Sequence, residues 1–184
     1  MVARFFTLFA LLIVFHCQSS HAIVFVEPLL GYVMGAYHAE LEVSGSPVSL
    51  DSKISGLTYG GRAGLSLRGL QLGLDYAKNE FKVAEEEDFG VKKIMTDETA
   101  LFLGYHFYFL RLYAGYIFDV KLKDTDFDSG KGFKAGLSFY VFKNLALSIE
   151  GRSINMDEFT DKFGDKVDGS YTNVAFLLSV PIEI

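Results

Sequence analysis

Residues 57–76 read LTYGGRAGLSLRGLQLGLDY, and apolar or small side chains occupy every second position of this stretch. From Leu57 to Leu67 they fall on odd positions, and after Gly69 the apolar residues fall on even positions. Side chains on a β-strand point alternately to opposite faces, so the pattern predicts two strands joined by a turn at Arg68 and Gly69. The predicted hairpin has one apolar face and one polar face.

The same alternation predicts six further strands. Their predicted ranges are Glu27–Ala39, Thr99–Phe107, Leu110–Lys121, Gly132–Phe142, Leu145–Ile154 and Tyr171–Ile184. The alternating apolar residues are predicted to face outward, and in the fifth strand they continue as far as Val120. Short turns around residues 68–69, 108–109 and 143–144 alternate with four long polar connections, including residues 40–56. This asymmetry predicts an all-β fold, an eight-stranded antiparallel up-and-down transmembrane β-barrel with polar groups inside and both termini on the periplasmic rim.

The N-terminal segment predicts secretion. Arg4 is followed by the apolar run Phe5–Phe15 and by the small residues of Ser20-His21-Ala22, so residues 1–22 are predicted to be a cleaved signal peptide. Cleavage one or two residues away is an alternative, and lipidation of Cys17 is disfavoured because bulky residues precede it. Residues 23–184 then form the barrel domain, which we expect in the cell outer membrane.

Charge and cysteine content exclude several classes of protein. The formal net charge is −6, with 17 Lys and Arg against 23 Asp and Glu, which argues against a nucleic-acid partner. Cys17 is the only cysteine, so no disulfide is expected in the mature chain.

Charged residues on the polar face of the strands are the first candidate site. An eight-stranded barrel is barely wide enough to hold its own side chains, so opposite charges there should pair. Arg62 should face Asp75 directly across the hairpin turn. We interpret the set as a structural polar plug; the alternative is a gated narrow channel for ions or small solutes. The predicted lumen cluster is Arg62, Arg68, Asp75, Asp119, Lys134, Glu150 and Arg152.

Tyrosines on the apolar face form the second candidate set. A tyrosine presents an apolar ring and a polar hydroxyl, which suits the boundary between hydrocarbon and headgroups. The predicted interfacial aromatics are Tyr32, Tyr59, Tyr76, Tyr105 and Tyr116.

No catalytic, cofactor or metal site is predicted, and we expect a non-enzymatic protein. The aspartates at positions 124, 126 and 128 resemble a calcium loop, but Ser129 and Ala135 break the EF-hand spacing. Some small barrels modify lipid A with a histidine, a serine and a carboxylate. Here His38 and His106 lack a His-x-Ser pair, because Glu40 and Tyr108 occupy those positions.

The chain resembles the small outer-membrane barrels of the OmpA and OmpX type. The resemblance rests on residues 27–32 (EPLLGY), on residues 113–116 (YAGY) and on the alternating C-terminal residues 176–184. It implies contact with lipid and lipopolysaccharide, insertion by the barrel-assembly machinery and a monomeric state. The family's terminal signal usually ends in an aromatic residue, and here it ends in Ile184. A soluble lipocalin-like barrel, with an apolar interior, is the remaining alternative.

Overall fold

The computed structural model describes residues 22–43, 46–83, 93–123, 130–160 and 166–184. Residues 1–21 of the predicted signal peptide and the acidic stretches 84–92, 124–129 and 161–165 lie outside these residues. Eight long strands and one short strand form a single sheet. Their bounds are β1 Ile23–Val43, β2 Ser46–Leu67, β3 Leu70–Val83, β4 Lys93–Phe107, β5 Leu110–Leu122, β6 Gly130–Phe142, β7 Leu145–Thr160, β8 Lys166–Ser179 and β9 Ile182–Glu183.

The sheet closes into a barrel. Each long strand pairs antiparallel with its neighbours in sequence, and β8 pairs with β1. A row of directly paired residues that starts at Leu67 passes through every strand and returns to β2 at Leu57, ten residues away. For eight strands this stagger corresponds to a tilt of about 40° and a backbone radius of about 8 Å.

The apolar residues cover the outside of the barrel. Leu103 is 54% exposed on the outer face, whereas Arg62 is 2% exposed on the inner face. This polarity is the reverse of a lipocalin-like barrel, so that alternative is wrong. The predicted fold, an eight-stranded antiparallel barrel with an apolar outer surface, is confirmed.

The first predicted turn is a two-residue hairpin turn in which both residues have positive φ, 52° at Arg68 and 87° at Gly69. Such a turn matches the twist of the flanking strands. The placement of Arg68 in the lumen is wrong, because Arg68 occupies the turn itself and is exposed. A turn residue lies outside the strict alternation of the strand, so its parity does not fix its face.

A bulge in β5 explains why the predicted face of a second residue, Asp119, is wrong. Thr99 pairs with Asp119 but Ala100 pairs with Ile117, so Phe118 is an extra residue. Beyond it, Val120 is buried and Asp119 is partly exposed beside Lys121 on the outside. The lumen position of Asp119 and the outward position of Val120 are therefore both wrong, since one inserted residue exchanges the faces.

The strands extend beyond the predicted spans at the end opposite the short turns. Residues 40–43 and 46–56, predicted as part of a long connection, continue β1 and β2 as far as the Val43–Ser46 pair. Polar residues can pair in an antiparallel ladder above the bilayer as readily as apolar residues do within it. The first of the four predicted long loops is therefore a strand extension.

The seam between β1 and the end of β8 is interrupted by proline. Pro181 has no backbone N–H, and β8 ends at Ser179 rather than at Ile184. The Val180 amide bonds the Pro28 carbonyl at 3.1 Å, and the short β9 resumes pairing with Phe25 and Val26. The C-terminal residues thus complete the closure near the short-turn rim.

Helices offer no route across a membrane here: none in the described ranges is long and apolar enough.

Candidate functional site: the filled lumen

Among the described residues, eight Asp, Glu, Lys and Arg side chains are buried inside the barrel, each 4% exposed or less. Four are basic and four are acidic, so the enclosed charge balances when all are ionised. A charge buried in this way is tolerated when it is paired and hydrogen-bonded. The set consists of Arg62, Arg111, Lys134, Arg152, Glu27, Asp75, Glu98 and Glu150.

Arg62 is a central branch point of this network. Its Nε donates to Asp75 at 2.6 Å, which confirms the predicted direct cross-strand pair. Its Nη2 donates to Glu150 at 2.6 Å and to the Tyr113 hydroxyl at 3.1 Å. Lys134 lies 2.5 Å from Asp75 and 3.8 Å from Glu150, so both carboxylates face two or more cations. Residues far apart in sequence therefore meet at one point of the lumen.

The network continues toward the outer end through Arg152. This guanidinium donates to Glu150 at 2.6 Å and to Glu98 at 3.1 Å. Glu98 also accepts bonds of 2.6 Å from Asn79 and from the Tyr171 hydroxyl. Glu98 was missed because the predicted strand began one residue later, at Thr99.

At the short-turn end, Arg111 and Glu27 form a two-point ion pair of 2.5 and 2.7 Å. Ser179 donates to Glu27 at 2.6 Å, and Ser138 accepts from Arg111 at 3.1 Å. Neither charged residue was in the predicted cluster. Glu27 has the same inward parity as Val33 in β1, and Arg111 has the same inward parity as Tyr113 in β5. The alternation of these strands was therefore enough to place both charged residues in the lumen.

Apolar side chains, together with neutral polar ones, occupy the lumen around the ion pairs. One cluster includes Ile54, Phe81, Ile154 and Tyr171 toward the outer end. A second cluster joins Phe25, Phe102 and Tyr113 nearer the short turns, with the two phenylalanine rings 5.8 Å apart. Together with the ion pairs, these clusters occupy the lumen across much of the membrane span.

The Tyr113 ring packs directly on Gly136 of the neighbouring strand β6, with which Tyr113 is paired. A Cβ added to Gly136 would lie 2.3 Å from the Tyr113 ring, whereas a Cβ on the outward-facing Gly151 would meet nothing within 4 Å. Gly136→Ala is expected to lower the free energy of unfolding by about 1–3 kcal/mol, as overpacking does. Gly151→Ala, its matched control, is expected to be neutral or slightly stabilising. Urea unfolding in detergent measures both, and equal effects would contradict the close packing at Gly136.

The five predicted interfacial tyrosines are all exposed on the outer face. At a tilt of about 40°, a residue advances about 2.5 Å along the axis, and each strand in a row is offset by about 3 Å. By this estimate, the heights along the barrel axis differ by no more than about 4 Å among four of them, Tyr32, Tyr59, Tyr76 and Tyr116. Tyr105 lies about 14 Å lower, near the short turns. We call the upper four residues the tyrosine girdle.

The lumen carboxylates and His106 each contact other side chains of the lumen. Within the described ranges, no group of three or more His, Cys, Asp and Glu residues is arranged to hold a metal ion. The four lumen carboxylates each contact Arg or Lys, and the His106 ring stacks on Tyr140 with centroids 4.2 Å apart. The acidic residues 124–128 of the calcium-loop comparison lie outside the described residues.

No protein-family model matches the sequence, and no curated protein sequence matches it. Solved structures do match. Neisserial surface protein A is 16% identical, with a TM-score of 0.50, over 88% of this chain and 99% of its own. The outer-membrane protease OmpT of Escherichia coli is 11% identical over 90% of this chain and 99% of its own, with a TM-score of 0.47. OprG of Pseudomonas aeruginosa is 12% identical over 90% and 98%, with a TM-score of 0.41.

The fold follows from three findings. The ladder is closed, which a sheet in hydrocarbon requires because no backbone group can remain unpaired there. The outer face is apolar over the span of a bilayer and the inner face is polar, as in outer-membrane barrels. The likeness to neisserial surface protein A shows the same architecture. The chain is an eight-stranded transmembrane β-barrel of the outer-membrane type, and the outer membrane is its location.

Proposed function

We propose that the protein is a non-conducting barrel that contributes to outer-membrane integrity and makes surface contacts through its outer strand extensions and connections. The observation that supports this proposal is the filled lumen. Eight buried ionisable groups pair with one another, and apolar clusters occupy the space around them. The proposal keeps the expectation that the protein is non-enzymatic, which is supported by the ion pairs that hold the four lumen carboxylates.

A narrow channel is the second candidate, and the side-chain packing disfavours it. An ion crossing the lumen would have to displace Arg62, which contacts Asp75, Glu150 and Tyr113 simultaneously. Removing one member of such a network leaves its partners buried without compensation, at a cost of several kcal/mol. Thermal opening of the whole path is therefore rare.

The refolded full-length mature chain is expected to show no stepwise conductance in planar bilayers. Heat-modifiable gel mobility verifies that the barrel has folded, and a known porin added to the same bilayer verifies that currents are detectable. Regular single-channel steps from the folded protein would contradict the plug and favour the channel.

The outward contacts in this proposal are lipid, lipopolysaccharide and, during insertion, the barrel-assembly machinery, with the protein acting as a monomer. Shortening the outer connections at residues 84–92, 124–129 and 161–165 one at a time is the corresponding test. A surface role predicts that detergent sensitivity or surface binding of whole cells changes while the barrel still assembles. Unchanged cells after all three deletions would contradict it.

A further inference from the structure

The outer face of the barrel has a groove of about 740 Å³ that extends from β3 to β8, and we call it the outer groove. Its floor is a row of small outward residues on neighbouring strands, Ala114, Ala135 and Gly151, which pair directly. A Cβ added to Gly151 would meet nothing within 4 Å, so the floor is open there. Larger side chains surround the floor, among them Leu103, Val174 and the rings of Tyr116 and Phe133, whose centroids are 5.3 Å apart.

One end of the outer groove is polar. Ser153 of β7 and Thr172 of β8 line this end, and the two residues pair directly. Lys131 of β6 is exposed one outward position above Phe133, and it pairs with Asn155 of β7. A lysine ammonium can donate to three acceptors at once, and it commonly binds phosphate. Hydroxyl and ammonium donors are therefore grouped where the apolar floor ends.

The depth of the outer groove places it on the outer side of the membrane. With the tilt given above, Ala114 is about 6 Å below the tyrosine girdle, and Gly151 is level with the girdle. Ser153 and Thr172 lie about 6 and 8 Å above the girdle, at the level of headgroups. The floor therefore faces hydrocarbon and the polar end faces the outer polar layer. A molecule that fits this surface is apolar along most of its length and polar at one end.

We propose that the outer groove binds one acyl chain of lipopolysaccharide, the phosphorylated glycolipid of the outer leaflet. In this site Ser153, Thr172 and Lys131 bind the phosphorylated sugar that carries the chain. The inference rests on the lipopolysaccharide contact in the proposed function, and it names the surface that makes this contact.

Van der Waals packing supplies the affinity for the chain. Lipid tails are as apolar as leucine, so a chain gains no hydrophobic free energy when it moves from the bilayer to the barrel. In the outer groove a chain lies on the floor and also contacts the Tyr116 and Phe133 rings at its side, which adds dispersion contacts. A second barrel is a poorer occupant, because its convex wall would contact the rim of the groove and not the floor.

Charge at the polar end favours lipopolysaccharide over a phospholipid. The sugar phosphates of lipopolysaccharide are monoesters, and a phosphate monoester carries about −1.5 to −2 charges at pH 7. The phosphodiester of a phospholipid carries a single negative charge. Asp119, the acidic outward residue of β5, already lies 3.9 Å from Lys121, so the Lys131 charge is the one next to the Phe133 wall of the groove.

The test titrates the full mature barrel, refolded in detergent without lipopolysaccharide, with purified lipid A or with phosphatidylethanolamine. Native mass spectrometry counts the bound lipids, and heat-modifiable mobility verifies folding. The wild type should bind one lipid A with a Kd at least about tenfold below that for phosphatidylethanolamine. Filling the floor with Ala135→Leu and Gly151→Leu together should weaken lipid A binding at least about tenfold. Ser153→Ala with Thr172→Ala, which leaves the floor unchanged, should weaken it by about three- to tenfold.

Ala63→Leu is the control, since Ala63 is exposed on the outer face of β2 and lies outside the outer groove. This variant should bind lipid A as the wild type does. Equal lipid A binding by the wild type and the floor-filled variant overturns the proposal, because the bound lipid would then be non-specific. Equal affinity for phosphatidylethanolamine also overturns it, as does a dimer that the floor-filled variant abolishes. The conductance and deletion experiments do not involve the groove, so the proposed function and this inference fail separately.

Discussion

Glu150→Gln is expected to lower the free energy of unfolding of the barrel by about 3–5 kcal/mol, as when one partner of a buried ion pair is removed. The Glu150 carboxylate receives bonds of 2.6 Å from both Arg62 and Arg152, and Lys134 lies 3.8 Å away. With a neutral side chain at 150, four buried cations face three anions. The change in the free energy of unfolding is measured by urea unfolding in detergent, in which heat-modifiable gel mobility reports the folded fraction.

Glu80→Gln is the matched control, with the same chemical change on the same fold. Glu80 lies 2.6 Å from Lys93, but both side chains are partly exposed at the outer end, so water compensates for the lost charge. We expect little change in stability from it. If the two variants unfolded at the same urea concentration, the lumen network would contribute no more than a surface ion pair.

The hairpin 57–76 was predictable because its turn and its faces depend on neighbours in sequence. Arg68 and Gly69 can adopt a two-residue turn with positive φ, and that turn fixes Leu67 opposite Leu70. The Arg62–Asp75 contact follows by counting back along the same ladder. Local periodicity therefore determined the face, the register and one ion pair.

The errors arose where alternation failed or ended. The sequence alternation does not reveal that Phe118 is an extra residue, because Phe, Asp and Val can each occupy either face at the end of a strand. The strand extensions were missed for a different reason, since polar pairs beyond the bilayer show no apolar stripe. Sequence periodicity reports contact with hydrocarbon and not the full length of a strand.

The assembled network could not be read from spacing alone. Arg62 and Glu150 are separated by 88 residues and meet across the lumen, and Glu27 meets Arg111 over 84 residues. Which inward residues meet depends on the stagger of ten residues around the barrel, and that stagger is the sum of every strand register.

Leu103→Arg is expected to destabilise the barrel in a lipid bilayer by about 2–4 kcal/mol, the cost of a guanidinium on the lipid face near the midplane. Leu103 is 54% exposed and lies about halfway between the short-turn rim and the tyrosine girdle. On a soluble barrel the same change would replace an exposed leucine with a residue that water prefers, so it would be neutral. The measurement is the unfolding free energy of the refolded chain in phospholipid vesicles.

The control is the same substitution at a different height on the outer face. Thr172 is also exposed on the outer face, but it lies about 8 Å above the girdle, where an arginine can reach headgroups and water. Thr172→Arg should therefore cost about 0–1 kcal/mol in the same vesicles. Both variants carry the same new side chain on the same face, so the difference between them isolates the hydrocarbon. Equal costs at the two depths would mean that Leu103 does not face acyl chains.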